Sequence, residues 1–193
     1  MAKERIVLAS GNAHKIKEIQ QMLSDYEIVG YKQLGFDFEI EENGKTFYEN
    51  ALIKAKTVSE KLNLPALADD SGICVDALGG QPGIYSARYA GDGVDEHNNQ
   101  LLLKNMQGKT DRNAKFVCCM VYYKPDGTII TATGETHGLI MNNCQGEHGF
   151  GYDPLFYSLD INKCLGLASA EEKNAISHRF RAIVGIKEKL REL

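Results

Sequence analysis

Two adjacent aspartates follow an apolar run in the first half of the chain. Residues 64–68 are apolar, which is typical of a buried strand, and Asp69 and Asp70 come directly after them. We expect the strand to end there and a turn to begin, so that both carboxylates lie at the strand end. Neighbouring carboxylates repel one another and resist burial, and a bound divalent cation relieves this repulsion. A metal site and a structural Asx turn are both consistent with the pair.

The composition is that of a globular protein with a sizeable core. The 193 residues are 43% hydrophobic and 25% charged, which fits one domain or two closely joined lobes. The net charge of -4 provides no general attraction to a polyanion, so we expect no nucleic-acid partner. We find no apolar run of membrane-spanning length and no signal-peptide core, and therefore expect a cytoplasmic protein with no membrane partner.

The cysteines indicate a reduced protein. There are five of them, without a C-x-x-C pair, which argues against a disulfide framework and a zinc knuckle. Cys118 and Cys119 lie in a strand-like run, where neighbouring side chains face opposite sides of the sheet. We therefore predict that both are small buried core residues.

Strand and helix patterns alternate along the N-terminal half. Residues 6–8 predict a short buried strand, residues 10–12 a turn, and the next segment an amphipathic helix. A second helix should begin at Thr46, because Thr46 and Glu49 have the spacing of a capping box. Asn63 marks the expected end of that helix.

The C-terminal half predicts a hairpin followed by helix. Residues 115–123 and 128–135 are apolar or β-branched, and the Lys-Pro-Asp-Gly sequence at 124–127 is typical of a turn between antiparallel strands. Ser169 and Glu172 form a second capping box, which opens the C-terminal helical segment. The whole pattern predicts an α/β fold with a mixed β-sheet and flanking helices.

The first candidate site is the turn between the first strand and the first helix. Residues 10–15 read Ser-Gly-Asn-Ala-His-Lys. Backbone N–H groups at the start of a helix bind anions, and Lys15 adds a positive point charge. The segment lacks P-loop spacing, so a phosphate site and an ordinary structural turn both remain open.

Two glutamates are candidate partners for the aspartate pair. Glu41 and Glu42 are adjacent, and such acidic runs are usually solvated surface. Magnesium uses one or two protein carboxylates and keeps several waters, so one of these glutamates and Asp70 would suffice if they meet in space. Which of Glu41, Glu42 and Asp69 completes a metal shell is left open by the spacing.

An aromatic and a cationic segment come later in the chain. Residues 150–153 combine aromatic faces, a glycine and a carboxylate, which suits a flat heterocycle as well as an ordinary core turn. Lys173, His178 and Arg179 supply cationic donors. Positions five and six residues apart do not share one helix face. All three therefore meet one ligand only if the helix breaks near Ser177 or the ligand lies across its end.

Taken in order, these blocks resemble the inosine triphosphate pyrophosphatase family. The motifs are Ser-Gly-Asn-x-x-Lys at 10–15, Thr-Phe-x-Glu-Asn-Ala-x-x-Lys-Ala at 46–55, Ala-Asp-Asp-Ser-Gly at 68–72, Pro-Gly-x-Tyr-Ser-Ala-Arg-Tyr-Ala-Gly at 82–91, Gly-Phe-Gly-Tyr-Asp-Pro at 149–154 and Ser-His-Arg at 177–179. The resemblance spans nearly the whole chain, and its specificity comes from the joint order of the motifs. Residues 143–148 depart from the family pattern.

The resemblance also implies roles for individual residues. It implies a triphosphate loop formed by Ser10, Gly11, Asn12, Ala13, His14 and Lys15. It implies Asp70 as proton acceptor, Glu41 and Asp70 as Mg²⁺ ligands, and Ser71 as a substrate contact. It implies a nucleotide pocket lined by Phe150, Gly151, Tyr152, Asp153, Lys173, His178 and Arg179.

The fold and activity implied by the resemblance are equally specific. Residues 1–193 would form a single domain, with a long bent mixed sheet, flanking helices and two lobes around a central nucleotide cleft, usually as a homodimer. The enzyme would use Mg²⁺ to hydrolyse ITP, dITP or XTP to a monophosphate and pyrophosphate, which removes deaminated purines from the nucleotide pool. Hydrolysis of ordinary nucleoside triphosphates or of a modified pyrimidine nucleotide, and nucleotide binding without cleavage, remain alternatives.

Overall fold

The computed structural model describes residues 3–192, apart from the side chain of His14. In this part of the chain the strands are β1 (Arg5–Leu8), β2 (Glu27–Gly30), β3 (Ala66–Val75), β4 (Asn113–Tyr123), β5 (Ile129–Ile140), β6 (Phe156–Ser158) and β7 (Lys163–Cys164). The α-helices are α1 (Ala13–Met22), α2 (Phe47–Leu62), α3 (Asp95–Asn105), α4 (Ala170–Ile176) and α5 (His178–Leu190). Within the same residues, no helix is both long and apolar enough to cross a lipid bilayer.

The strands form one mixed sheet in the order β2-β1-β3-β4-β5-β6-β7. β1 runs parallel to β2 and β3, whereas β6 runs antiparallel to β5 and β7. The turn between β4 and β5 is closed by a hydrogen bond from the Lys124 N–H to the Thr128 carbonyl (3.0 Å), as expected for a hairpin. The predicted mixed α/β fold with flanking helices is confirmed.

The chain divides into two compact units. Unit 1 contains the described residues up to Asp70, Cys119–Thr133, and the described residues from Ala182 onward. Unit 2 contains Ser71–Cys118 and Gly134–Arg181.

The core of unit 1 joins α2 to its strands through small side chains. Ala51 and Ala55 of α2 are fully buried in one cluster with Ala66 and Ala68 of β3. Because alanine has no side chain beyond Cβ, the helix backbone lies close to the strand. Polar residues on the same face of α2 are thereby brought within reach of β3.

The start of α2 shows half of the predicted capping box. The Thr46 hydroxyl accepts a hydrogen bond from the Glu49 N–H (3.1 Å), as predicted. The Glu49 carboxylate accepts from the Lys45 N–H (2.5 Å) instead of the Thr46 N–H. Asn63 ends the helix in the left-handed conformation, with φ of 52°.

The prediction that β3 ends at the aspartate pair is wrong. β3 continues to Val75, so Asp69 and Asp70 lie in the middle of a ten-residue strand. Successive side chains of a strand point to opposite faces, and the two carboxylates therefore do not share one position. Interstrand hydrogen bonds carry the strand through the polar segment, which local hydrophobicity alone does not indicate.

The core of unit 2 contains the fully buried Ile73 and Val75 of β3, Leu102 of α3, and Phe156 of β6. Its C-terminal helical segment is interrupted at Ser177, whose hydroxyl accepts a hydrogen bond from the Phe180 N–H (3.0 Å) and so caps α5. A break near Ser177 is one of the two arrangements that would let Lys173, His178 and Arg179 meet one ligand. The complete capping box of Ser169 and Glu172 at the start of α4 is also present, as predicted.

All five cysteines carry free thiols. Cys118 and Cys119 are buried, at 0% and 4% exposure, which confirms their prediction as core residues.

Candidate active site

The register between β1 and β3 aligns the first candidate loop with the aspartates of unit 1. Leu8 lies opposite Leu67 in the parallel pair, and the Ala9 N–H donates to the Leu67 carbonyl (2.9 Å). The loop that follows β1 therefore starts level with Asp69. Within it, the Ser10 hydroxyl accepts from the Asn12 N–H (3.1 Å). These contacts direct the chain into α1.

Lys15 neutralises the first aspartate. Its ammonium group donates to both carboxylate oxygens of Asp69, at 2.9 and 3.1 Å. The Asp69 side chain is only 3% exposed, so this ion pair compensates a buried charge. Asp69 is thereby a structural partner of the loop lysine. Asp69 does not use the third N–H of the Lys15 ammonium group, and the Lys15 side chain is 25% exposed.

The loop residues around Lys15 have distinct roles. Gly11, Asn12 and Ala13 are exposed, and the Asn12 side chain caps α1 by accepting from the Lys15 N–H (3.3 Å). The predicted contact of the His14 side chain lies outside the described residues.

Asp70 is held by two side chains from one face of α2. Asn50 donates to its Oδ2 (3.1 Å), and the Lys54 ammonium lies 4.0 Å from its Oδ1. Asn50 and Lys54 are four residues apart, which places them on the same side of the helix. Burial raises the pKa of Asp70, while Lys54 and the Asn50 hydrogen bond partly oppose the shift. A carboxyl group with a raised pKa is a better proton acceptor than an ordinary aspartate.

Glu42, not Glu41, is linked to this arrangement. Its Oε2 lies 3.1 Å from the Lys54 ammonium, and its charge contributes to the raised pKa of Asp70. Asn50 fixes the loop that contains Glu42, because its Oδ1 accepts a hydrogen bond from the Gly44 N–H (2.9 Å). Glu41 is an exposed loop residue. We call Lys15, Glu42, Asn50, Lys54, Asp69 and Asp70 the acid–lysine cluster.

The acid–lysine cluster has the chemistry of a cation site. Glu42 and Asp70 both approach the ammonium of Lys54, so two carboxylates already stabilise one positive charge there. Magnesium needs only one or two protein carboxylates and completes its shell with water and substrate oxygens, so this donor set fits the metal. Among the side chains that the structure describes, which exclude His14, no group of three or more His, Cys, Asp or Glu residues is placed to hold a metal ion.

The second candidate region lies in unit 2, in residues 149–153, which we call the aromatic loop. Asp153 is 2% exposed, and its Oδ2 accepts from the Phe150 N–H (3.0 Å) and from the Lys173 ammonium. The same ammonium lies 4.1 Å from the centroid of the Phe150 ring, in cation–π geometry. Lys173 thus links the carboxylate to the aromatic ring. Phe150 is 64% exposed, so one large ring of this loop is open to solvent.

Tyr152 faces the interior of unit 2. It is 5% exposed and donates its hydroxyl to the Ser86 carbonyl (2.7 Å). The Ser86 hydroxyl in turn accepts from the Ile73 N–H (2.9 Å) on β3. Burial raises the pKa of the Tyr152 phenol, which therefore stays protonated. Tyr152 anchors the loop, and Phe150 provides its accessible aromatic surface.

His178 and Arg179 stand at the beginning of α5, directly after the helix break. The His178 ring stacks on Phe116, with 5.1 Å between ring centroids and 15° between planes. Phe116 also contacts Phe156 (4.5 Å), which fixes it in the core. Arg179 is 8% exposed. Ser71, half-buried on β3, is the first residue of unit 2 and follows Asp70 in the chain.

Two members of the acid–lysine cluster, Asn50 and Lys54, were not singled out from the sequence. Asn50 and Lys54 lie inside the 46–55 motif, and their spacing of four residues predicts a shared helix face. That spacing was the available signal. The choice of Glu42 over Glu41 has no local signal, because it depends on the loop closure made by Gly44 and Asn50.

Comparisons with known proteins agree with this architecture. The Ham1 family model matches residues 6–189. A dITP/XTP pyrophosphatase of Clostridium perfringens is 43% identical, covering 97% of this chain and 98% of that protein. One of Campylobacter jejuni is 45% identical, covering 93% of each. The solved structure of the Staphylococcus aureus Ham1 protein superposes with a TM-score of 0.93 at 43% identity, covering 98% of this chain and 99% of that one.

The family model spans the first strand to the last helix, and the relatives align over nearly their full lengths. These matches confirm the family resemblance inferred from the order of the motifs. The chain belongs to the Ham1 family.

Proposed function

We propose that this protein hydrolyses the triphosphates of deaminated purine nucleosides, namely ITP, dITP and XTP, to the monophosphate and pyrophosphate. The relatives named as dITP/XTP pyrophosphatases support the nucleoside-triphosphate pyrophosphatase class. The observation that carries the proposal is the half-buried Asp70 carboxyl, whose pKa is raised and which is held by Asn50 beside the Lys54 ammonium.

Asp70 acts as the proton acceptor. It takes a proton from water while the water oxygen forms a bond to phosphorus of the α–β anhydride and the bridging P–O bond breaks. The raised pKa brings its basicity closer to what proton abstraction near neutral pH requires. Asn50 orients the carboxylate by donating to Oδ2 (3.1 Å), which directs the other oxygen toward Lys54.

The phosphates are bound by Lys54 and by the loop at residues 10–15, which includes Lys15. The lysine ammonium groups donate to phosphate oxygens, and the N-terminal end of α1 adds backbone N–H groups of the loop. Glu42 and Asp70 would hold Mg²⁺, in preference to the Glu41 and Asp70 pair implied by the resemblance. When bound, this ion would supply charge neutralisation on the phosphate oxygens.

The aromatic loop and the start of α5 bind the base. Phe150 stacks on the purine, while His178 and Arg179 donate to the 6-keto oxygen of hypoxanthine or xanthine. Lys173, Asp153 and Tyr152 hold the loop, with Gly151 giving close backbone access, and Ser71 contacts the substrate. Adenine carries an amino group at the 6-position, and a donor facing a donor leaves buried polar groups unpaired, at about 1–3 kcal/mol per group. This disfavours ATP.

The proposed roles fall on both compact units, so we propose that residues 1–193 act as a single domain. We also propose a cytoplasmic protein with no nucleic-acid partner, because its substrates are free nucleotides and its net charge is negative. We propose a homodimer because the family resemblance implies one. Sedimentation of the purified protein tests the dimer independently of activity.

The decisive experiment compares ITP, XTP, GTP, ATP and dUTP, with and without Mg²⁺, using added inorganic pyrophosphatase to detect pyrophosphate release. We expect release from ITP and XTP at least about 100-fold above that from ATP. Equal turnover of ATP and ITP would overturn the base specificity. Binding of ITP without pyrophosphate release would indicate a nucleotide-binding regulator instead.

A further inference from the structure

Helix α3 contacts the peptide groups of Gly151 on both sides. The Asp95 Oδ2 accepts from the Gly151 N–H (2.7 Å), and the Asn99 Nδ2 donates to the Gly151 carbonyl (2.9 Å). Asp95 and Asn99 are four residues apart in one helix and therefore lie on the same face. Two side chains from a rigid element thus fix the position and the orientation of one residue in the middle of the aromatic loop.

Asn99 is poorly explained as a residue that only stabilises the helix. It is 6% exposed, and its Oδ1 is buried without a hydrogen-bond partner among the described residues. A buried acceptor without a partner lowers stability, and asparagine is a weak helix former. Its side-chain amide nevertheless makes the bond to Gly151. The hydrogen bond to the aromatic loop is therefore the contribution of the Asn99 side chain.

The aromatic loop needs such support. Phe150 is 64% exposed, so apart from the cation–π contact with Lys173 the direction of its ring depends on the backbone on either side. The Phe150 N–H already donates to Asp153, and Gly151 has a φ of +60°, which glycine adopts without strain. Loss of the contacts from α3 would leave the Gly151 peptide groups to water and allow this backbone to rotate.

We propose that Asp95 and Asn99 are positioning residues that set base selectivity by holding Gly151, and through it Phe150. This inference rests on the proposed function, since it assigns base recognition to the aromatic loop. It extends the recognition apparatus to a helix that makes no proposed contact with the nucleotide.

Four variants test the proposal in the full-length protein. Asn99→Ala removes the donor to the Gly151 carbonyl, and Asp95→Ala removes the acceptor for its N–H. Asp95→Asn keeps an acceptor oxygen at the same place. Gln100→Ala is the matched control, because Gln100 is an exposed residue of α3 whose side chain bonds to Glu96.

The readout is the ratio of kcat/KM for ITP to that for ATP, together with competitive inhibition by tripolyphosphate, which has no base. We expect the ratio to fall about tenfold in Asn99→Ala and Asp95→Ala, chiefly through a higher KM for ITP, with tripolyphosphate inhibition unchanged. The ratio in Asp95→Asn should stay within about threefold of the wild-type ratio, and the ratio in Gln100→Ala should equal that of the wild type.

An unchanged ITP-to-ATP ratio in Asp95→Ala would overturn the proposal; because Asp95 is exposed, its truncation removes no core packing. Weaker tripolyphosphate inhibition in the same variant would also overturn it, because the effect would not be confined to the base. Failure of the proposed function gives a different result, since the wild-type enzyme itself would then show no preference for ITP.

Discussion

The acid–lysine cluster of unit 1 and the aromatic loop of unit 2 each contain a buried aspartate paired with a lysine. Asp69 with Lys15 and Asp153 with Lys173 both have aspartate side chains that are 3% exposed. The surroundings differ. In unit 1 the charged groups project mainly from a strand and from helices. In unit 2 the aromatic loop is held by side chains that form hydrogen bonds with its backbone N–H and carbonyl groups.

The two regions therefore differ in how their side chains are positioned. Regular elements place Lys54 and Asn50 by helix periodicity, so their positions follow from spacing once α2 is packed. The aromatic loop follows no such period. Its geometry depends on individual bonds, such as those from Phe150 to Asp153 and from Asn99 to Gly151. We expect substitutions in unit 1 to affect turnover and those in unit 2 to affect base selectivity.

The largest effect is expected at Asp70. Asp70→Asn keeps the shape and the hydrogen bond from Asn50 but cannot accept a proton, so kcat should fall at least about 100-fold, the scale of a general base. The control Asp76→Asn changes an exposed carboxylate near the end of the same strand and should retain turnover. Steady-state pyrophosphate release measures both. Near-normal kcat in Asp70→Asn would remove Asp70 from its proposed role.

A matched pair of glutamate variants tests the second carboxylate. Glu42→Gln removes the charge that faces Lys54, and we expect kcat/KM to fall about tenfold, or about 1.4 kcal/mol. Glu41→Gln alters an exposed neighbour and should have little effect. Measuring the Mg²⁺ dependence of both variants sharpens the comparison. A larger effect at Glu41 would instead favour the ligand pair that the family resemblance implies.

In unit 2, Gly149 is a sensitive backbone position of the aromatic loop. A Cβ there would lie 2.1 Å from Asp153 Oδ2, and the residue has a φ of +76°. Gly149→Ala should therefore destabilise the protein by about 1 kcal/mol more than Gly127→Ala, which has a φ of +88° but open space around it. It should also lower the preference for ITP over ATP, with little change in tripolyphosphate inhibition.

Thermal or urea unfolding gives both free energies of unfolding, with Gly127→Ala as the measure of backbone strain alone. Equal destabilisation of the two variants would show that Asp153 moves aside without cost. The aromatic loop would then be more adaptable than its hydrogen bond to Asp153 indicates.

The smallest effect concerns pH and stability. Because burial raises the pKa of Asp70, the folded protein binds a proton at this site more tightly than the unfolded chain. Its contribution to the free energy of unfolding is therefore greatest at low pH. It decreases as pH rises from the ordinary value of 3.8 through the raised pKa. One proton gives a slope of at most about 1.4 kcal/mol per pH unit.

Urea unfolding of the wild type and Asp70→Asn across this range, in EDTA, isolates the contribution of the carboxyl. The difference in unfolding free energy, wild type minus variant, should decrease as pH rises. A difference that increases with pH would mean that Lys54 and Asn50 outweigh burial, and that the pKa is lowered.

Much of the fold follows from local signals. The strand at residues 6–8, the turn at 124–127 and the cap at Ser169 are each specified by neighbours in sequence, through hydrophobic periodicity and hydrogen bonds of short range. The end of β3 was predicted wrongly for the same reason. Two aspartates resemble a strand end locally, but neighbouring strands and Lys15 stabilise them within the strand.

The α/β class and the family given by the order of the motifs followed from the sequence alone. The helix break near Ser177 was one of two arrangements that the sequence left open, and the role of Asp70 stays a prediction. Tertiary structure decided which glutamate meets Lys54, that Asp69 is neutralised by Lys15, and that α3 holds Gly151. The physical reason is range. Caps, turns and helix faces depend on residues within four or five positions. The pairing of charges and the loop contacts depend on groups as distant in sequence as Asp95 and Gly151, which are 56 residues apart and which only the folded chain brings together.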